Sequence, residues 1–126
     1  MIKGLNRVLS DPQMLGEGFV WIPFGFTING TSTPTAVKGP LASVAYSEAG
    51  EFLCTLLDNS VPKQMFVGLA SVSNTADDVD MYAIVDWSTV VSAGTFVVRT
   101  MTGSTQTDPT SGLLVGGFLL GRKTDR

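Results

Sequence analysis

Four groups of residues have types and spacing that could do chemistry. Asp77-Asp78-Val79-Asp80 gathers carboxylates of the kind a hard cation such as Ca²⁺ takes as ligands. The stretch lacks the spaced ligands, central glycine and terminal glutamate of an EF-hand, so a solvated acidic loop is the simpler reading. Glu48 and Glu51 flank Ala49-Gly50. A carboxylate pair runs acid–base chemistry only where burial raises the pKa of one member, and a turn around Ala-Gly is expected to be wet. Cys54 falls between Phe52 and Leu56 at alternate positions, where cysteine behaves as a small buried hydrophobe. Among the aromatics, Trp21, Tyr46, Tyr82 and Trp87 could include a sugar-stacking platform. Trp87 continues the alternation of Ala83 and Val85 and is therefore expected in the core.

What is missing narrows the choice further. The chain has no histidine, which removes the Ser-His-Asp and Cys-His catalytic groups, an imidazole base near neutral pH and any His-bearing metal site. With no histidine beside it, Cys54 is a poor nucleophile, and one cysteine forms no intrachain disulfide. A core thiol fits a protein made in a reducing compartment. The net charge of −3 and the pI near 4.6 argue against a binder of phosphate backbones. No catalytic residue, cofactor or metal is expected.

The 126 residues fit one domain able to bury its own core. Only 15% are charged, against about 25% in ordinary soluble domains, and 14 Thr, 11 Ser and 14 Gly take the place of charge. That is a β-sheet composition. The apolar runs predict strands over Phe19–Ile28, Leu41–Tyr46, Glu51–Leu57, Gln64–Val72, Met81–Trp87, Thr95–Met101 and Leu113–Leu120. Pro23 marks the first as an edge or bulged strand. Residues 29–40, 73–80 and 103–112 read as loops, and Asn29-Gly30-Thr31 reads as a turn in preference to a glycosylation site. Asp86 is expected on the face opposite Val85 and Trp87, paired across strands with Arg99. The expected fold is all-β: a single antiparallel β-sandwich, jelly-roll or Ig-like, of about seven strands over residues 18–126, preceded by an arm over 1–17.

Several strands are apolar on both faces. In the first, Val20, Ile22, Phe24, Phe26 and Ile28 alternate with Phe19 and Trp21, and in the last, Leu113, Val115 and Leu119 oppose Leu114, Phe118 and Leu120. A strand with one wet face alternates apolar with polar. A small sandwich has one core, so the second apolar face predicts an oligomer. In the arm, Ile2, Leu5, Val8 and Leu9 fall at helical spacing over barely two turns, too short to be stable alone. Residues 9–121 hold three basic and ten acidic side chains, whereas Lys3, Arg7, Arg122, Lys123 and Arg126 make both ends basic. Basic ends on an acidic body suit docking on an acidic partner surface. The expected contact surface is therefore Ile2, Leu5, Val8, Leu9, Phe19, Trp21, Phe24, Phe26, Arg122, Lys123 and Arg126. No apolar core of a signal peptide follows the charged N-terminus, and Phe19–Ile28 falls short of the roughly 20 residues of a membrane helix.

Three stretches carry a family resemblance. They are Ile22–Thr31; Val37-Lys38-Gly39 with Ser43–Leu57; and Gly94–Arg99 with Asp108-Pro109 and Phe118–Arg122. Over roughly residues 19–122 the chain resembles small β-sandwich virion structural proteins of tailed bacteriophages, of the capsid decoration (cement) or head-fibre type. The likeness is one of pattern, and the arm lies outside it. The resemblance implies a dimer or trimer, made in the host cytoplasm, that binds a major capsid protein on the virion surface and carries no catalytic residues. It leaves a second reading open: a receptor- or glycan-binding module of a tail or head fibre, using loops 29–40 and 103–112. Neither a nucleic acid nor a membrane is an expected partner.

Overall fold

The computed structural model describes residues 18–73 and 80–123 together with the backbone of 13–14. These fold almost entirely as β-strand. In chain order they form β1 (Gln13–Met14), β2 (Phe19–Thr27), β3 (Thr35–Lys38), β4 (Leu41–Glu48), β5 (Glu51–Leu56), β6 (Gln64–Val72), β7 (Met81–Asp86), a single helical turn α1 (Val90–Ala93), β8 (Thr95–Thr102), β9 (Thr105–Gln106) and β10 (Leu114–Arg122). The seven long strands match the seven apolar runs. The three short ones do not: β3 and β9 fall where loops were expected. β1 falls inside the expected arm, where Gln13 and Met14 pair with Trp21 and Val20 of β2.

All strands belong to one antiparallel sheet, in the order β1-β2-β10-β6-β7-β8-β5-β4, with β3 beside β2 and β9 beside β8. The last strand, β10, lies between β2 and β6. Phe24 and Phe26 of β2 touch Phe96 of β8 and Phe52 of β5, with ring centroids 4.9 and 5.3 Å apart. Since β10, β6 and β7 separate β2 from β8 in the sheet, these contacts require the sheet to curl over its own inner face. It nearly closes, as a barrel or a two-layered sandwich does.

The inner face follows the predicted alternation. Val20, Ile22, Phe24, Phe26 and Ile28 are all buried, as are Phe52, Cys54 and Leu56 of β5 and Phe96 and Val98 of β8. Among the described residues no charged side chain is buried. The two buried polar ones, Ser60 and Thr100, are hydrogen-bonded, Thr100 Oγ1 donating to the Thr107 carbonyl at 2.7 Å. Pro23 sits where its strand can spare a donor. On the side of β2 away from β10, β1 pairs with residues 20–21 and β3 with residues 25 and 27, leaving Pro23 between them.

The 103–112 loop is fastened to the β4–β5 turn. Asp108 accepts from the Tyr46 hydroxyl at 3.0 Å and from the Gly50 backbone N–H at 2.8 Å, and Gln106 Nε2 donates to the Ala49 carbonyl at 3.1 Å. Gly50 makes this close approach possible. Its φ is +70°, and a Cβ there would stand 2.6 Å from the Thr107 nitrogen and 2.7 Å from the Thr100 oxygen. Gly30 shares the left-handed backbone (φ +60°) but has nothing within 4 Å of a Cβ. Gly30→Ala is therefore expected to cost only about 1 kcal/mol, the left-handed penalty, whereas Gly50→Ala adds a backbone clash and costs at least about twice that in urea unfolding. Equal losses would contradict the fastening.

Candidate subunit interface

The outer face of β2, β10 and β6 has the composition of an interior. These are three adjoining strands of nine residues, and Arg122 is the only charged residue in them. Register brings their outward side chains into rows across the strands. Phe118 pairs with Pro23 on one side and Leu69 on the other, and Leu120 with Trp21 and Val67. Between Leu120 and Gly121 the register with β6 shifts, so that Val67 and Met65 pair with consecutive residues and Phe66 is the extra one. Trp21, Phe66, Leu69 and Leu114 are 43%, 45%, 54% and 56% exposed. Trp21 packs on Phe118 and Phe19 on Phe66, each with centroids 5.5 Å apart. Exposed apolar side chains gathered on adjoining strands make this face the candidate contact surface.

The expected contact residues divide accordingly. Phe19 and Trp21 lie on this face. Phe24 and Phe26 are 5% and 2% exposed and belong to the core, so they cannot reach a partner; alternation separated the two faces of β2 correctly but did not say which turned inward. Arg122 lies with its guanidinium carbon 4.4 Å from the centroid of the Phe19 ring, and Lys123 Nζ donates to the Asn59 carbonyl. Both cations are thus engaged within the protein. Ile2, Leu5, Val8, Leu9 and Arg126 lie outside the described residues.

Elsewhere the outer surface carries charge. Arg99 of β8 stands between Glu51 of β5 and Asp86 of β7, at 3.3 and 3.6 Å, which realises the expected Asp86–Arg99 pair and adds Glu51 to it. The Ser88 hydroxyl and backbone N–H donate to Asp86 Oδ1 at 2.7 and 3.1 Å, holding its carboxyl below the usual carboxylate range. Ser47 Oγ donates to Glu51 at 2.9 Å, and Glu48 is exposed, so Glu48 and Glu51 form no buried acid–base pair. Asp77 and Asp78 lie outside the described residues, and Asp80 is exposed.

The four aromatics do not assemble into one platform. Tyr46 packs edge-on against Phe52 and bonds to Asp108, Tyr82 donates to the Gly103 carbonyl, and Trp21 faces Phe118. Trp87 packs on the core above Gly68, whose missing side chain makes room for it: a Cβ there would stand 2.8 Å from the indole. No protein-family model, curated protein or solved structure matches the chain.

Cys54 is fully buried among apolar neighbours, and burial pushes its thiol up to about 12. Since only the thiolate reacts, a disulfide reagent at pH 8 is expected to leave the folded protein unlabelled and to label one thiol per chain after denaturation. Rapid labelling of the folded protein would contradict this placement.

Proposed function

We propose that the protein is a non-enzymatic structural subunit of a phage virion, which oligomerises and binds the capsid surface as a decoration or cement protein. One observation carries the reading: three adjoining strands, with Arg122 their one charged residue, turn mostly apolar side chains outward from a domain that already has its own core. Such a surface suits permanent coverage by other subunits. The sequence resemblance to small virion proteins supplies the setting. The fastened 103–112 loop and the absence of buried charge among the described residues suit a scaffold.

A protein that binds only the assembled shell stabilises it by mass action, by about 2.7 kcal/mol per site at a free concentration 100 times the Kd. In this reading the N-terminal arm supplies part of the shell contact through Ile2, Leu5, Val8 and Leu9. Because β1 joins the sheet at Gln13, the clean truncation removes residues 1–12. The full chain is expected to co-sediment with tailed-phage heads and to raise the temperature at which they rupture. The truncated chain is expected to keep its β circular-dichroism spectrum and remain in the supernatant. A truncated chain that decorates as well as the full one removes the arm from the contact. Failure of the full chain to bind any head overturns the virion role.

A further inference from the structure

We propose that two copies of this chain join about a two-fold axis by seating a ridge of one outer face in a groove of the other, an inference that rests on reading that face as an assembly surface. The groove is set by register. Gly25 of β2 pairs with Gly116 of β10, and Gly116 with Ser71 of β6, so three small residues fall in one row across three strands. The next outward row on one side is the ridge Pro23–Phe118–Leu69, and on the other side stands Leu114, paired with Thr27. Three surface clefts run along this one row: beside Val37 and Lys38 at Gly25, beneath Leu114 at Gly116, and between Leu69 and Phe118 at Ser71.

The monomer does not account for Gly25. Glycine inside a strand destabilises it by roughly 0.5–1 kcal/mol relative to alanine, so it is retained where geometry requires it. Gly117 and Gly121 are required, since a Cβ at either would meet backbone oxygen at 1.9 and 2.4 Å. Gly25 has no positive φ, and a Cβ there would find its nearest neighbour at 3.5 Å, an ordinary contact. Its partner Gly116 also lacks a positive φ, but a Cβ there would meet the Phe24 oxygen at 3.2 Å, a contact that the backbone must yield a few tenths of an ångström to relieve, so Gly25 is the one of the pair that the monomer leaves unexplained. A cross-strand glycine pair on the outer face leaves room for something from outside the chain. Strain gathers beside it too. Ala36, which lines the same cleft, has φ +49°, the only positive φ of a non-glycine among the described residues.

The occupant is a second copy because one patch carries both shapes. An isologous interface requires knobs and holes on the same surface. Outward rows on a strand are about 7 Å apart. A two-fold axis lying in the face, parallel to the rows and midway between ridge and groove, carries each ridge onto the partner's groove. Phe118 of one copy then lies over Gly116 of the other, and Leu69 over Ser71. Charge agrees over the middle of the patch, where β2, β10 and β6 carry no charged residue but Arg122; the exposed Lys38 of β3 stands at the end of the groove beside Gly25. Size allows it: the residues of β3, β2, β10, β6 and β7, at about 4.8 by 3.3 Å each, cover roughly 600 Å², the low end of what each partner of a stable complex buries.

Light scattering and sedimentation equilibrium on the full chain test this. The wild type is expected at twice its 13.3 kDa chain mass. Gly25→Leu, which fills the groove, and Leu69→Lys, which charges the exposed ridge, are each expected to raise the dimer dissociation constant at least tenfold. Leu53→Lys, on the outer face of β5 away from the groove, is expected to leave it unchanged. Urea unfolding of each variant at matched concentration shows whether it folds; because Leu69 is 54% exposed, Leu69→Lys removes no core contact. A monomeric or trimeric wild type overturns the two-fold proposal, as does a dimer that both variants leave intact. Binding to phage heads is scored separately, so a monomer that decorates heads defeats this inference and leaves the virion role standing.

Discussion

A β-strand with apolar side chains on both faces must be covered twice, and the rest of this structure follows from how that is done. The first covering is intramolecular. β2 turns Val20, Ile22, Phe24, Phe26 and Ile28 inward, and the sheet curls until β5 and β8 bring Phe52 and Phe96 against them. Curling is what allows a single sheet to enclose a core without a separate second layer. The position of β10 between β2 and β6 then places three long strands, apolar on both faces, side by side. Their outward faces merge into one surface, which on the proposed reading other copies of the chain cover.

The distribution of polar groups sharpens the contrast. On β5, β7 and β8 the outer surface mixes exposed apolar side chains such as Leu53 and Ile84 with charge, Arg99 being held between Glu51 and Asp86. The 103–112 loop is held by Asp108 against a turn whose glycine has no room for a side chain. These features organise one part of the surface. On β2, β10 and β6 the single charged residue, Arg122, packs over Phe19 at the end of the face. β2 and β6 carry no charged residue, whereas β4, β5, β7 and β8 carry one each.

Much of the fold was legible because burial leaves a period of two in the sequence, and the seven long strands carry that period clearly. β3 was not legible. Thr35-Ala36-Val37-Lys38 is four exposed residues within a Thr- and Pro-rich stretch, and its bulge at Ala36 breaks the alternation. Nor could alternation alone say which face of β2 turned inward, which is why Phe24 and Phe26 were expected at the surface along with Phe19 and Trp21. The groove was wholly hidden, because Gly25, Ser71 and Gly116 become neighbours only through strand register. The Tyr46–Asp108 contact, 62 residues apart in the chain, was hidden for the same reason. Local pattern reports the burial of a residue, while the identity of its neighbour is a property of topology.

On the proposed reading, other copies of the chain cover the outer face of β2, β10 and β6. Hydroxyl-radical footprinting across a dilution series tests it most directly, because it reads each side chain in the unmodified protein. Trp21, Phe66, Leu69 and Leu114 are expected to be protected at high concentration and to become reactive on dilution, while Leu57 and Val91, exposed elsewhere, react equally throughout. Uniform reactivity of all six side chains at every concentration would contradict it.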